Sequence, residues 1–314
     1  MKNELPLITI GITCFNSEDT ILRALDSAIS QTYPHLEVIV VDDYSADNSV
    51  EIIQQFVALH EEVSLIAHTR NTGMAGALNT IISHANGQLV AWFDDDDISF
   101  PNRIQHQYDV ISRYRKDNDV LIGCWCSTQK KYPNGYMSVS AGIGSCDKIP
   151  IGRDILDYHL NMTPGREKFF GSGTPACSLM TYKEVFRSIG LYDDSLRRTD
   201  DTDFAIRLGL VGGHFIGTKE ILVEQYWSSG NDKSPKIEFD SQVRLLKKYK
   251  NQFSSTANFD FALKWRKIRL FYFTRDFKDF ISALIGCFAT HPIMSSLRLK
   301  NGFLRLLHDR RLSG

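Results

Sequence analysis

The chain has 314 residues, 43% of them hydrophobic, with 36 Lys and Arg against 37 Asp and Glu. That is ample apolar material for one large domain, or for a domain with an appendage. A formal net charge of −1 supplies no global field for a phosphate backbone, so nucleic acid is not expected among the partners.

From the N-terminus, short apolar runs alternate with helical spacing. Leu7 to Thr13 is followed by a periodic Asp19 to Gln31, with Ile21, Leu22, Leu25, Ala28 and Ile29 on one face. Leu36 to Val41 precedes Val50, Ile53, Phe56 and Val57, and Val63 to Ala67 precedes Met74, Leu78, Ile81 and Ile82. Leu89 to Phe93 is the fourth run, after which Pro101 opens a long amphipathic segment to about Lys116. Strands and helices of these lengths predict right-handed βαβ units on a mostly parallel, Rossmann-like sheet flanked by helices. In such a sheet ligands bind beyond the carboxyl ends of the strands. Four segments are thereby singled out: Thr13-Cys14-Phe15-Asn16, Asp42-Asp43-Tyr44-Ser45, Arg70-Asn71-Thr72-Gly73 and Asp94-Asp95-Asp96-Asp97.

Residues 119–227 are less regular, with short apolar runs at Val120 to Trp125, Ala176 to Met180 and Phe215 to Ile216, and a helical stretch after Asp201. They read as a continuation of the same sheet that holds a second substrate. Beyond Ser228 the pattern turns helical and basic. Lys264 to Gly314 carries eleven Lys and Arg against three Asp, which leaves the preceding body acidic. The expected organisation is a catalytic unit over 1–230, its nucleotide-binding half 1–118 and its acceptor half 119–230, followed by a basic helical appendage over 231–314. Phe271, Phe273, Phe277, Phe280, Ile281, Leu284, Ile285 and Phe288 make that tail amphipathic. It either packs on the catalytic unit or attaches peripherally to an anionic inner membrane leaflet.

Six cysteines occur without a Cys-x-x-Cys pair or metal-ligand spacing, as expected of reduced thiols in a cytoplasmic protein. The first residues lack the apolar stretch of a signal peptide. The two long uncharged stretches, Asn71 to Phe93 and Phe280 to Leu297, are too broken by polar residues and Gly to span a bilayer.

The aspartates Asp94 to Asp97 carry the strongest chemical signal. Like charges so close repel unless a hard divalent cation, which prefers oxygen ligands, offsets them. On an extended chain Asp94 and Asp96 project to one side and can share an ion; otherwise the run is a solvated turn that caps the next helix. Of Asp42 and Asp43, one can be purely structural while the other accepts from a base N–H or a ribose hydroxyl. Arg70 either screens Asp42 or approaches nucleobase or phosphate. Gly73 and Gly76 let the backbone come close and open a helix whose N-terminus favours anions.

In order, Ile-Thr-Cys-Phe-Asn, Val-Val-Asp-Asp-Tyr-Ser-Ala-Asp-Asn-Ser, Arg-Asn-Thr-Gly-Met-Ala-Gly-Ala-Leu-Asn and Phe-Asp-Asp-Asp-Asp resemble the inverting family 2 glycosyltransferases of GT-A fold. Ile-Gly-Leu-Tyr-Asp-Asp at 189–194 resembles that family's Gly-aromatic-Asp-Glu turn, and Asp200-Asp201-Thr202-Asp203 its Glu-Asp-x-Asp helix start. The resemblance spans about residues 5 to 227. It implies transfer of a sugar from a nucleotide-diphosphate donor, UDP by family frequency, to a glycan or lipid-linked saccharide hydroxyl, as in bacterial surface-polysaccharide synthesis. Thr13, Phe15, Glu18, Asp42 and Arg70 would then surround the nucleoside, with Gly73, Asp95 and Asp97 also on the nucleotide sugar. Asp94 and Asp96 would hold ribose and Mn²⁺ or Mg²⁺. Asp201, or its neighbour Asp200, would be the catalytic base, although the family usually has Glu where this chain has Asp200.

No Gly-rich basic loop follows the first strand, as a nucleotidyltransferase would need, and no Gly-x-Gly-x-x-Gly, as a dinucleotide enzyme would need. The remaining alternative is a non-catalytic carbohydrate-binding or scaffold protein on the same fold. Tyr226 and Trp227 read as core packing or as an aromatic platform for acceptor sugar, His214 as a structural histidine, and Gly171 to Thr174 as a substrate-side or merely flexible loop.

Overall fold

The computed structural model describes residues 5–146, 148–160, 170–227, 234–300 and 302. The four apolar runs are strands β1 (Ile8–Cys14), β2 (Leu36–Asp42), β3 (Val63–Ala67) and β4 (Leu89–Asp94). The intervening segments are helices α1 (Ile21–Ile29), α2 (Ser49–Val57), α3 (Gly73–His84) and, after β4, α4 (Arg103–Asp117). Alternation along the strands splits the core between two faces. Ile8, Ile10, Ile12, Val38, Val40 and Phe93 pack against α1, α2 and α4. Ile39, Val41, Val90 and Trp92 pack against α3 on the other side. Each such fully buried large side chain contributes roughly 1.5–3 kcal/mol of transfer free energy.

β1, β2, β3 and β4 are all parallel, and β1 pairs with β2 on one side and β4 on the other. The chain therefore reverses its direction of progress between β1 and β4, which opens a crevice at their carboxyl ends.

The sheet continues through β5 (Ile98–Ser99), β6 (Ile122–Lys131), β7 (Met137–Ser140), β8 (Leu179–Tyr182) and β9 (His214–Tyr226). Its order is β3-β2-β1-β4-β8-β6-β9-β5, with β7 beside β6. β8 is antiparallel to β4 and β6, while β6 and β9 are parallel. Two expectations change here. Ala176–Ser178 is a 3-10 turn that leads into β8, so the apolar run there is only half strand. The short Phe215 to Ile216 run belongs to a strand of 13 residues whose polar Thr218, Glu220 and Glu224 hide it from a hydrophobicity reading.

Helices α5 (Arg153–Leu160), α6 (Lys183–Ile189) and α7 (Asp200–Leu210) pack on the half of the sheet that holds β6 and β9. α8 (Pro235–Lys248), α9 (Thr256–Phe273) and α10 (Phe277–Thr290) each start at a side-chain cap, Ser234, Ser255 and Asp276 respectively. Leu245, Leu246, Tyr249 and Ala262 from α8, α9 and the segment between them share a cluster with Leu156, Leu160 and Ile206 of α5 and α7. α10 is held on α9 through Phe261, Ile268 and Cys287. A last helical stretch runs over 292–300. The boundary expected at residue 230, and the basic Arg305, Arg310 and Arg311, lie outside the described residues. Among the described residues no helix is long and apolar enough to cross a membrane, and all six cysteines are free.

Candidate active site

Strand register brings the first group of residues together. Cys14 is level with Asp42 across β1–β2, and Thr13 with Asp94 across β1–β4, so Thr13, Asp42 and Asp94 end three adjacent strands. Asp42 is 1% exposed; one carboxylate oxygen accepts from the Ser45 amide at 3.0 Å. The other, Oδ1, has no hydrogen-bond partner among the described residues. A buried carboxylate oxygen left in this state is costly unless a ligand donates to it. Asp43 differs. It accepts from the Thr72 amide and hydroxyl at 2.7 and 2.8 Å and from the Gly73 amide at 2.7 Å, and it lies 2.9 Å from His68 Nδ1. It is the structural member of the pair and fixes the start of α3.

Gly73 begins α3 at φ +79°, and a Cβ there would stand 3.2 Å from the Arg197 guanidinium. Arg197 Nη1 also donates to Asn71 at 3.3 Å, so a cation from beyond the turn at 190 leans over the helix N-terminus. Arg70 is exposed nearby, and Phe15 is exposed at the end of β1. Glu18 is engaged in holding loops together: it accepts from the amide and side chain of Asn48 at 3.0 and 2.7 Å. Asn16 and Tyr44 adopt left-handed backbone at φ 52° and 68°. For a Tyr this is uncommon, and it falls where the β2 loop meets the crevice, with the ring 58% exposed. Tyr44 and Arg197 carry no sequence pattern that marks them; only the backbone conformation and the fold do.

The strand ends at Asp94, and the chain turns at Asp95 and Asp96 rather than remaining extended. Asp95 accepts from the Phe15 amide at 3.1 Å and from the Ser17 hydroxyl, binding the β1 loop to the acidic turn. The Asp96 main-chain oxygen accepts from Arg23. The turn brings together Asp94, Asp97 and Cys177, whose ligand atoms lie within 4.8 Å of one another, and Asp96 is not in that group. Asp97 is buried; Oδ1 accepts from the Tyr226 amide at 3.1 Å, and Oδ2 finds no partner among the described residues. Removal from water, then the neighbouring aspartates, hold the Asp94 carboxyl well above its ordinary range. Burial first and Asp96 next push Asp97 up to about 7, and burial pushes Asp95 up to about 6. Asp94 and Asp97, the latter with a spare buried oxygen, would suit a hard divalent cation. The Cys177 thiol is held protonated by burial and by Asp94, and it is a soft ligand poorly matched to Mg²⁺ or Mn²⁺.

Asp200 and Asp201 open α7. Asp200 is buried with Oδ2 unpartnered among the described residues. Asp201 lies on the wall of a cavity of about 570 Å³ bounded by β6, the 172–175 loop, α7, α8 and α9. Its Oδ1 accepts from the Thr202 amide at 2.5 Å and hydroxyl at 3.1 Å, while burial and the Asp200 charge push it up to about 7. Asp203 ties the helix down through Arg207 and Tyr249, each at 2.7 Å. Gln225 joins the two regions: it lines the cavity and donates to Cys177 Sγ at 3.3 Å. Trp227 is 49% exposed beyond β9, and the Tyr226 hydroxyl donates to Glu224 at 2.6 Å. His214 meets the Tyr114 hydroxyl at 2.8 Å, as a structural histidine does. Ser172 to Pro175 belong to the cavity wall.

A sheet that reverses between β1 and β4, with carboxylates at those strand ends and a second, mixed half beside it, defines the GT-A-like class of nucleotide-sugar transferase folds. The family described as glycosyl transferase family 2 matches residues 9–139. EpsE, a candidate glycosyltransferase of Bacillus subtilis (strain 168), is 33% identical over 212 residues, covering 65% of this chain and 67% of EpsE. The chain belongs to glycosyl transferase family 2. The glycosyltransferase GlyG of Streptococcus pneumoniae serotype 4 is 25% identical over 275 residues, 87% of this chain and 88% of GlyG. Against uncharacterized glycosyltransferases of Rickettsia species the chain spans only 31% of the Rickettsia bellii protein and 57% of that of Rickettsia typhi. Two solved structures share the fold at low identity. Staphylococcus aureus TarS 1–349 with UDP-GlcNAc has TM-score 0.58 at 16% identity, covering 90% of this chain and 81% of that one. Mannosyltransferase PcManGT of Pyrobaculum calidifontis with GDP-Man and Mn²⁺ has TM-score 0.58 at 17% identity, covering 97% and 81%.

Proposed function

We propose that the protein transfers a sugar from a nucleotide-diphosphate donor to a hydroxyl of a glycan or lipid-linked saccharide, with inversion, in bacterial surface-polysaccharide synthesis. The observation that carries this reading is the pairing of two half-sites. Unpartnered buried oxygens of Asp42 and Asp97 face the donor side, and Asp201 stands on the wall of an adjoining cavity.

On the donor side, Asp42 Oδ1 accepts from the base or ribose, with Thr13, Phe15, Tyr44 and Arg70 around the nucleoside. The α3 N-terminus at Gly73, with Arg197 above it, favours the diphosphate. Asp94 and Asp97 would hold Mn²⁺ or Mg²⁺, which would supply Lewis-acid stabilisation of charge on the leaving diphosphate. Asp95 positions the β1 loop through the Phe15 amide and the Ser17 hydroxyl. On the acceptor side, Asp201 takes the proton from the attacking hydroxyl. The new bond forms at the anomeric carbon as its bond to phosphate oxygen breaks, and one displacement inverts that centre. Asp201 is favoured over Asp200 because it borders the cavity, while Asp200 is buried behind it.

Peripheral attachment to an anionic cytoplasmic membrane face is part of this proposal. Phe277, Ile281 and Ile285 stand exposed at four-residue spacing on α10.

The deciding experiment is thermal unfolding of the purified protein with UDP, GDP and dTDP, each with Mn²⁺ and with EDTA. A nucleotide that binds only the folded state raises the midpoint. A rise that needs Mn²⁺, followed by sugar transfer from the corresponding nucleotide sugar, is the expected result. No rise with any nucleotide would remove the donor assignment.

A further inference from the structure

Tyr44 is held in a backbone conformation that disfavours a tyrosine. Its φ of 68° lies in the left-handed region, which Gly and Asn enter readily and a bulky side chain rarely does. The conformation is fixed from both sides. Before it, the Asp43 amide donates to the Cys14 carbonyl at 2.8 Å, and the Asp43 carbonyl accepts from Asn71 Nδ2 at 3.1 Å. After it, the Ser45 amide donates to Asp42 Oδ2 at 3.0 Å, and the Ser45 hydroxyl accepts from the Asn16 amide at 2.9 Å. The Ala46 amide then donates to Asn16 Oδ1 at 2.8 Å. Backbone strain that the surroundings fix so completely clusters at ligand-binding and catalytic positions.

Packing within the fold does not account for the side chain. The ring is 58% exposed and meets no aromatic ring or cation among the described residues. Its place in the turn is more informative. The carboxylate that closes the turn through Oδ2 is that of Asp42, whose buried Oδ1 has no partner among the described residues. Tyr44 stands at the tip of this turn, so the ring and the spare oxygen belong to one braced unit. Phe15, also exposed, precedes Asn16 as Tyr44 precedes Ser45, and the Asn16–Ser45 hydrogen bond ties the two loops together. A carboxylate oxygen that lacks a donor, on the same turn as an exposed aromatic face, suits a flat heterocycle. Its N–H edge can donate to the oxygen while its face stacks on the ring.

We infer that Tyr44 stacks on the nucleobase of the donor, and that the strained turn exists to present its ring there. This assignment rests on the proposed nucleotide donor and adds to it the side chain that supplies affinity for the base. Ribose and diphosphate have no aromatic face to stack. The contribution of Tyr44 is therefore independent of any metal at Asp94 and Asp97, which would act on the diphosphate.

The test is calorimetric titration of the full-length protein with UDP, GDP and dTDP and the corresponding monophosphates, each with Mn²⁺ and with EDTA. Tyr44→Ala should weaken the nucleotide that the parent binds by roughly 5- to 100-fold, the worth of stacking one base on an aromatic ring. The factor should be the same in Mn²⁺ and in EDTA, and the same for the diphosphate and the monophosphate. Tyr44→Phe keeps the face and should bind within about twofold of the parent. Tyr44→Gly should lose as much affinity as the Ala variant. Its thermal midpoint without nucleotide should nevertheless equal or exceed that of the parent, because Gly adopts the left-handed conformation without strain. That midpoint also verifies that the variant is folded. Unchanged affinity in the Ala or Gly variant would overturn the inference. A loss as large in Tyr44→Phe would do so by assigning the effect to the hydroxyl, and a loss confined to Mn²⁺ by assigning it to the diphosphate. A lower midpoint in Tyr44→Gly would overturn it as well, by showing that the ring anchors the fold. If the parent binds nucleotide and Tyr44→Ala binds it equally, only this inference fails. If the parent binds no nucleotide under any condition, the donor reading fails and takes the role of Tyr44 with it.

Discussion

On the β3-β2-β1-β4 side of the sheet, each candidate residue hangs from the carboxyl end of a parallel strand or from the loop just after it. On the β6–β9 side, the cavity is assembled from β6, a loop at 172–175, the start of α7, and the later helices α8 and α9. The first arrangement follows from topology, since the switch point between β1 and β4 leaves a crevice whatever side chains fill it. The second is made by packing: α8 and α9 reach α5 and α7 only because Leu245, Leu246, Tyr249 and Ala262 bury against Leu156, Leu160 and Ile206. A half built by topology can be shared widely, while a half built by packing can be altered without disturbing the sheet.

The largest effect that can break this contrast is at the acceptor side. Asp201→Asn should lower kcat by roughly 10²- to 10⁴-fold, the usual worth of a positioned general base, with nucleotide binding retained. The pH dependence has a definite sign. Burial and Asp200 raise the Asp201 carboxyl to about 7, and a base acts only when ionised, so kcat should fall as pH drops below about 7. Arg198 and Glu238 also border the cavity. Stability should move the opposite way. A carboxyl raised by folding opposes the folded state once ionised, so this destabilisation is absent below its unfolded pKa and grows as pH rises toward 7. The Asn variant should therefore unfold at a higher temperature than the parent at pH 8. A variant that keeps its kcat would move the base elsewhere.

On the donor side the next effect separates two pairings of the acidic run. Extended-chain spacing pairs Asp94 with Asp96, whereas the turn brings Asp94 to Asp97. At a nucleotide concentration of 100 times Kd, binding stabilises the fold by about 2.7 kcal/mol. Asp94→Asn and Asp97→Asn should abolish the Mn²⁺-dependent part of that rise in thermal unfolding, and Asp96→Asn should reduce it less. The reverse order for Asp96 and Asp97 would restore the spacing argument.

The end of β2 offers a smaller contrast between adjacent residues. Asp43 accepts from the Thr72 and Gly73 amides and the Thr72 hydroxyl, so Asp43→Ala leaves buried donors without a partner. It should cost roughly 2–3 kcal/mol of stability by denaturant unfolding. Asp42→Asn removes a charge from an oxygen with no described partner and should cost nucleotide affinity instead of stability.

The same division governs what could be read in advance. Strand–helix alternation placed β1 to β4 because each run is apolar on both faces, as a doubly covered parallel strand must be. Asp42 and the run Asp94 to Asp97 are therefore legible as carboxylates at strand ends, but the turn that sets Asp94 beside Asp97, where extended spacing pairs it with Asp96, is not. That Asp43 is the structural partner needed the position of Thr72, and Glu18 proved to hold Asn48 because the β1 and β2 loops lie side by side. Only Phe215 and Ile216 of β9 stand out in the sequence, because a strand in a half-polar environment loses its hydrophobic signal.

The weakest effect concerns the outer face of the same C-terminal helices. α10 turns Cys287 inward to Phe261 and Ile268 while Phe277, Ile281 and Ile285 stay 57%, 55% and 64% exposed. Tyr272 and Phe273 at the end of α9 are exposed as well, with Arg275 and Lys278 beside them and Asp276 and Asp279 partly offsetting that charge. An apolar row with a small net charge should bind a bilayer mainly by insertion, with only about 1 kcal/mol from each surface cation. Sedimentation with vesicles containing anionic lipid should therefore recover the protein, and added salt should weaken this only modestly. Phe277→Ser/Ile281→Ser/Ile285→Ser should abolish it while leaving the thermal midpoint close to the parent, because these side chains bury little within the fold. If the triple variant sediments as the parent does, α10 faces something other than lipid. The contrast between a half built by topology and a half built by packing would then extend to the end of the described chain.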